Sequence, residues 1–201
     1  MAYASWVSPN KTSGSGNDTV SWTGQEHTGR NARQTTAIFS ASGVADKVLT
    51  INQTGKTEFV SIDSAASVGK AGGTVTINGT TNSSKLTFSL ANNNIQLVLP
   101  STYNAGGASA TNGTAIAGDP GAAQQFSFSI TFTNIGANTG VSARTSQLTV
   151  TANGGQNATC TVTQAAGDAM LSINPTEITL TAAGTPAVSV DVTSNTSWSV
   201  S

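Results

Sequence analysis

The sequence predicts an all-β protein of β-sandwich or β-barrel type, from its residue alternation and its regularly spaced turns. Apolar and polar side chains alternate with a period of two along much of the chain, which is typical of half-buried strands. Clusters rich in Gly, Asn and Ser, such as residues 13–17 and 153–157, separate the alternating segments and predict turns. No window of about 11 residues carries the apolar stripe of an amphipathic helix.

Three segments show the alternation most clearly, with apolar residues on one face and Ser, Thr or Asp on the other. They are Leu86–Leu90, Phe126–Phe132 and Val188–Val192. Each is predicted to be a strand whose apolar face lies in a core.

A tandem repeat divides the chain. Thr28–Arg33 reads TGRNAR and Thr139–Arg144 reads TGVSAR, an offset of 111 residues. Arg33 and Arg144 therefore occupy repeated structural positions, and Gln53 and Gln164 follow them by 20 residues in both copies. A register shared by several positions indicates duplication of a whole structural unit.

The same offset aligns two more sites, Ser61–Ile62 with Ser172–Ile173 and Gly73 with Gly184. The repeat predicts a shortened domain at residues 1–57, a domain with an insertion near 91–125 at residues 58–167, and the N-terminal half of a third domain at residues 168–201. A long insertion without predicted structure is usually functional or disordered.

The half domain at the C-terminus would leave an apolar face and strand edges open. Either the natural chain continues beyond Ser201, or another subunit completes the sheet by adding strands.

Charge is scarce and almost balanced. Charged residues make up 8% of the chain, and the net charge is -1. This composition excludes an electrostatic grip on nucleic acid or an anionic membrane. Residues 1–57 carry +2 and residues 168–201 carry -3, which would modestly favour head-to-tail contacts between copies.

Residues capable of catalysis or metal binding are few and scattered. The only histidine, His27, lies in a polar turn and is expected to be exposed. The only cysteine, Cys160, alternates with apolar neighbours and is expected to be a buried thiol, so disulfides and cysteine zinc sites are excluded. The acidic residues form no evident pair. The sequence therefore predicts no enzyme, no cofactor and no metal.

The aromatic residues divide into core and surface candidates. Trp22 and Trp198 each lie two residues from a valine in an alternating segment, which favours the core. Trp6 and Tyr103 remain as candidate exposed platforms for stacking on a glycan. The paired Arg33 and Arg144 are expected to pack their stems and cap carbonyl groups rather than bind a ligand. Their partners Gln53 and Gln164 are expected to satisfy backbone groups at strand ends.

The order of the motifs resembles that of BACON domains. The resemblance rests on the opening Ser-Ile-Asn-Pro at residues 172–175, a glycine turn, and the Ser194–Trp198 segment. The Thr139–Arg144 and Thr161–Gln164 segments belong to the same pattern. BACON domains are immunoglobulin-like, so the resemblance implies tandem immunoglobulin-like β-sandwiches.

BACON domains are common in Bacteroidetes proteins and in the crAss-like phages that infect them. Bacterial members usually belong to secreted carbohydrate-active enzymes or surface proteins, which need an export signal, and the N-terminus has no basic and apolar leader. Residues 13–30 also resemble head-associated proteins of crAss-like phages. The resemblance thus implies a virion protein made in the host cytoplasm, and no apolar run long enough for a transmembrane helix is present.

The first functional hypothesis is a non-enzymatic structural protein that decorates a phage capsid or supports head fibres. Its expected partners are the major capsid protein or other virion proteins. Self-association or strand complementation through residues 168–201 is a further expectation, whereas nucleic acid and membrane are not expected partners. The alternative is a carbohydrate-binding or adhesion module with a glycan partner.

Overall fold

The structure is a computed structural model that describes residues 3–184 and 187–201. Regular structure in this part of the chain consists of β-strands in five sheets and a 3₁₀ turn at Pro120–Ala122, so the predicted all-β class is confirmed. No helix in the described residues is long and apolar enough to cross a membrane. The strands fall into a first unit at residues 3–57, a second at 58–167 and a third at 168–201.

The second unit is a two-layer sandwich. Its strands are β5 (Val60–Ile62), β6 (Ala65–Val68), β7 (Gly73–Thr81), β8 (Leu86–Ala91), β9 (Thr102–Ala105), β10 (Ala108–Thr111), β11 (Phe126–Ile135), β12 (Arg144–Ala152) and β13 (Asn157–Gln164). One layer has the order β10-β9-β11-β7-β5 and the other the order β6-β13-β12-β8. All pairs are antiparallel except β6 with β13, which run parallel at the edge of the smaller sheet.

The core of this sandwich is formed by alternate residues of both layers. Phe128, Ile130 and Phe132 of β11 are at most 2% exposed, as their alternation predicts. They face Leu148 and Val150 of β12, which are 0% exposed. Because such burial contributes about 1.5–3 kcal/mol for each large apolar side chain, this unit dominates the stability of the chain.

The inserted segment near residues 91–125 is folded. Strands β9 and β10 form a hairpin that extends the five-stranded sheet, and Tyr103, Ala105 and Ala110 join the core. The Asn112 side chain fastens the segment to β8, since its Oδ1 accepts from Phe88 N at 2.8 Å. The insertion is therefore part of the sandwich.

The first unit consists of two antiparallel ribbons. One joins β1 (Val7–Pro9) to β2 (Trp22–Gly24), and the other joins β3 (Arg33–Phe39) to β4 (Lys47–Gln53). Its core is small, with Val7 and Ala37 as its buried apolar residues among those described.

The repeated arginines and glutamines occupy the same register in both units. Arg33 lies opposite Gln53 across β3 and β4, and Arg144 lies opposite Gln164 across β12 and β13. The glutamine Nε2 atoms donate to equivalent carbonyls, Gln53 to Gln25 O at 2.9 Å and Gln164 to Gly136 O at 2.7 Å. The sequence repeat is thus also a structural repeat.

The described residues of the third unit form one short ribbon, of β14 (Leu171–Asn174) and β15 (Asp191–Ser194). The strand predicted over Val188–Val192 is wrong in its first half, because β15 begins only at Asp191. The predicted match of Gly73 to Gly184 is also wrong by one residue.

Turn hydrogen bonds give the correct alignment. Gly184 N donates to Thr181 O at 3.1 Å, as Gly72 N donates to Gly69 O at 2.9 Å. Gly184 is therefore the counterpart of Gly72, at an offset of 112. The offset reaches 113 at β15, where Val192 pairs with Ile173 as Gly79 pairs with Ile62.

Candidate binding surfaces

The junction between the first and second units is built around Asn82, whose residue surface is 0% exposed. Its Oδ1 accepts from Phe59 N at 3.0 Å. Its Nδ2 lies 3.3 Å from Thr28 O, 3.4 Å from Lys56 O and 3.2 Å from Thr57 O. One side-chain amide therefore ties the end of β7 to two segments of the first unit and its linker.

Arg30 fixes the same junction from the first unit. Its Nη1 donates to Asn82 O at 2.7 Å, its Nη2 forms an ion pair with Asp119, and its Nε lies 3.6 Å from Glu58 Oε1. Asp119 belongs to the inserted segment, so its ion pair with Arg30 also joins the first unit to the second. The buried Gly121 permits this approach, since a Cβ there would lie 2.0 Å from Asn82 O.

The junction between the second and third units repeats this arrangement around Asn195. Its Oδ1 accepts from Met170 N at 2.9 Å, and its Nδ2 donates to Thr139 O at 3.0 Å and Asp168 O at 2.8 Å. Met170 and Thr139 lie 111 residues after Phe59 and Thr28. The repeat therefore includes the way in which each unit is joined to the next.

Sequence reasoning did not single out Asn82, Asn195 or Arg30. The asparagines align at an offset of 113, and the two extra residues before β15 conceal the match at 111. A search that allowed single-residue insertions would have aligned Thr81–Ser83 with Ser194–Thr196.

An open groove lies on the first unit. This N-terminal groove has a volume of about 680 Å³. Its larger apolar lining residues come from β2, β3 and the neighbouring loops: Tyr3, Val20, Trp22, Ile38, Phe39 and Val44. Phe39 is 44% exposed, whereas Val150, its counterpart in the second unit, is 0% exposed. Leu49 of β4 is 37% exposed against 0% for its counterpart Cys160.

The third unit exposes a second apolar surface, here called the C-terminal face. Its members are Leu171, Ile173, Ile178, Leu180, Val188 and Val190, which are 36–65% exposed. Their counterparts in the second unit lie in the core or pack against it: Val60, Ile62, Ala66, Val68, Val75 and Ile77. The face is open because the described residues of this unit provide no opposing sheet.

Trp198 also lies in the third unit, where no opposing sheet of described residues covers it. Trp198 is 52% exposed and Val200 is 86% exposed, so the prediction that they lie in a core is wrong. Trp22 is half-buried, with its ring edge-on to Tyr3 at a centroid distance of 5.1 Å.

The two predicted glycan platforms have different environments. Tyr103 is 4% exposed and its ring packs edge-on against Phe88 at 4.9 Å, so the expectation that it is exposed is wrong. The hairpin of the insertion buries it, and burial raises the pKa of its hydroxyl. Trp6 is half-buried, and the Arg33 guanidinium lies 4.5 Å from its ring centroid. One ring face of Trp6 is therefore occupied by a cation–π contact.

A polar trough lies on the outer face of the five-stranded sheet. It has a volume of about 670 Å³ and is lined by exposed hydrogen-bonding side chains, including Asp63, Asn78 and Asn104. Gly79 forms its floor above Phe128, because a Cβ at Gly79 would lie 2.3 Å from the ring. The trough can offer hydrogen bonds and one carboxylate.

His27 and Cys160 are both structural. His27 is 9% exposed, so the prediction of an exposed turn residue is wrong; its Nε2 lies 2.6 Å from Asn31 O. Its counterpart Asn138 makes the same contact to Ser142 O at 2.8 Å. Cys160 is buried as predicted, and burial raises the pKa of its thiol. Within residues 3–184 and 187–201, no three His, Cys, Asp or Glu side chains cluster as metal ligands.

Comparison with known families identifies the region that carries the N-terminal groove. Residues 1–54 match the BACON family, described as "Putative binding domain, N-terminal". The match lies within the predicted first domain at residues 1–57. A search of curated proteins finds no match to the chain. The BACON-type part of the chain thus coincides with the unit that leaves an apolar groove open.

Proposed function

We propose that the chain is a non-enzymatic binding protein that acts through protein–protein contacts, as a structural component of a phage head. The observation that carries this proposal is the open N-terminal groove inside the BACON-type region. An apolar surface of this kind is typical of a protein-interaction site. Its apolar side chains suit a protein partner better than a sugar, which needs many hydrogen bonds.

The arrangement of the units supports a structural role. Asn82 and Asn195 join successive units in the same way, so the chain is a row of firmly joined β-units rather than loosely tethered domains. Such a row can hold binding surfaces at fixed positions on a particle, where symmetry multiplies weak contacts. The narrower virion role draws on the resemblance of residues 13–30 to head-associated phage proteins.

The test is co-sedimentation of the purified chain with procapsids of a crAss-like phage. The wild-type chain should sediment with the particles, and Phe39→Asp should weaken binding by about tenfold or more, since it places a charge in the apolar groove. Val48→Asp is the matched control, because Val48 of β4 is an apolar residue that is 64% exposed and lies outside the groove lining. Equal binding by the two variants, or no binding at all, would contradict the proposal.

A carbohydrate-binding module remains the second candidate, favoured by the polar trough. A glycan array probed with the wild-type chain tests it, with Asn104→Ala as the trough variant and Trp6→Ala as the platform variant. Tyr103→Ala is unsuitable, because removal of a buried ring would leave a cavity in the core. Array signals that disappear in Asn104→Ala, together with no binding to procapsids, would favour this candidate.

A further inference from the structure

The first and third units are complementary parts of one repeat. Residues 168–201 correspond to the segment from the start of the second unit to β8, and residues 7–53 correspond in sequence to the segment from β8 to the end of β13 without the insertion. They overlap at residues 5–9 and 197–201, both of which begin with a Ser-Trp pair. Together the two parts cover the repeat once.

Each part exposes what the other would bury. In the second unit, Ile77 of β7 and Val150 of β12 are both 0% exposed in one shared core. Their counterparts, Val190 on the C-terminal face and Phe39 in the N-terminal groove, are 36% and 44% exposed. The two apolar surfaces therefore correspond to two parts of one sandwich core, presented separately.

Strand edges are complementary in the same way. In the second unit, β6 adds in parallel to the free edge of β13, with Ala66 opposite Val162. In the first unit, β4 corresponds to β13 and pairs only with β3, so its outer edge is open in the described residues. In the third unit, residues 177–180 correspond to β6 and form no strand. The outer edge of β4 and the segment at residues 177–180 are thus both without a strand partner in the described residues.

We propose that residues 168–201 of one copy of the chain dock into the N-terminal groove of a second copy, so that two half-units complete one sandwich. This inference rests on the proposed function, because it names a second copy of the chain as a partner of the N-terminal groove. The contact is heterologous and joins copies head to tail, so it builds rings or open filaments. The opposite net charges of the two units, +2 and -3, favour this pairing modestly at low salt.

The repeat also gives the register. Residues 177–180 run parallel to β4, with Ile178 of one copy opposite Ile51 of the other, as Ala66 lies opposite Val162. In a Cys160→Ala background, chains carrying Ile51→Cys and chains carrying Ile178→Cys should therefore cross-link to each other under mild oxidation. Replacing Ile51→Cys with Asn52→Cys, whose side chain lies on the other face of β4, should give much less cross-linked product.

The deciding experiment is sedimentation velocity over about two decades of protein concentration, because mass action makes an oligomer concentration-dependent. The wild-type chain should form oligomers. Phe39→Asp disables the groove and Val190→Asp disables the C-terminal face, so each variant alone should be monomeric. A mixture of the two should form one-to-one dimers, because each supplies the surface that the other has lost. Val48→Asp and Ser189→Asp, which alter exposed positions outside the groove lining and the C-terminal face, should assemble as the wild type does.

Other outcomes would overturn the inference. Dimers of Val190→Asp alone would indicate groove-to-groove contact, and dimers of Phe39→Asp alone would indicate contact between two C-terminal faces. A wild-type chain that stays monomeric throughout would exclude self-assembly. The proposed function is tested separately by procapsid binding of Val190→Asp, whose groove is intact. Binding by a monomeric Val190→Asp would preserve that function even if self-assembly failed.

Discussion

Replacing Asn82 with alanine should uncouple the first unit from the second. The change removes the acceptor of Phe59 N and the donor shared by the Thr28, Lys56 and Thr57 carbonyls. A buried polar group left without a partner costs about 1–3 kcal/mol. The Phe59 amide and the carbonyl site shared by Thr28, Lys56 and Thr57 are two such losses, so we expect Asn82→Ala to destabilise the junction by about 2–6 kcal/mol.

The chain provides separate probes for the two units. Trp6 and Trp22 lie in the first unit, the sole cysteine Cys160 lies in the second, and a Trp198→Phe background removes the remaining tryptophan. Urea unfolding would be followed by tryptophan fluorescence and by thiol labelling. With an m-value of about 1–3 kcal/mol/M, the fluorescence midpoint of Asn82→Ala should fall by about 1 M or more, and the labelling midpoint should fall less.

Asn52→Ala is the matched control, because Asn52 is exposed and makes one side-chain contact, to Gln34 at 2.7 Å. Its cost should be about 0.5 kcal/mol or less. If Asn82→Ala unfolds at the same urea concentration as Asn52→Ala by both probes, the reasoning about the junction is refuted.

Three further outcomes are expected. Gly121→Ala should lower the melting temperature by several degrees, because the added Cβ would lie 2.0 Å from Asn82 O. Gly69→Ala is the control and should leave the melting temperature unchanged, because a Cβ there meets nothing within 4 Å. Equal melting temperatures for the two variants in calorimetry would contradict this. Burial raises the pKa of Cys160 and of Tyr103, so the folded state holds these protons more tightly than the unfolded state does. Stability should therefore be constant below the pKa of a free thiol, about 8.5, and fall as the pH rises above it; a urea midpoint that rises from neutral to alkaline pH would have the wrong sign. Tyr103→Phe should change the free energy of unfolding by under about 1.5 kcal/mol, whereas Tyr103→Ala should lower it by about 3–5 kcal/mol. Denaturant titration would measure both changes. Equal, small effects of the two variants would indicate a surface position and contradict the burial of Tyr103.

Local patterns predicted much of the second unit. The alternation in Phe126–Phe132 predicted a strand with one buried face, and the structure buries that face. This prediction needed only the local pattern of side chains. The offset of 111 between Arg33 and Arg144 correctly aligned β3 with β12, because the spacing from the arginine to its glutamine partner is 20 residues in both copies. The buried position of Cys160 followed from the same alternation.

Burial that depends on a distant segment could not be predicted in this way. Tyr103 has the sequence context of a loop, and it lies in the core because its hairpin joins β11 across the sheet. Trp198 has the sequence context of a core residue, and it is exposed because the described residues of its unit provide no opposing sheet.

The sequence by itself predicted most of the strands and the repeat, because these depend on side-chain types at short or constant spacing. The tertiary structure alone decided how the units are joined and which apolar faces stay open. Asn82 contacts residues up to 54 positions away, and the exposure of Phe39 depends on whether a second sheet covers it. Such contacts are set by packing between distant segments, which spacing along the chain does not encode.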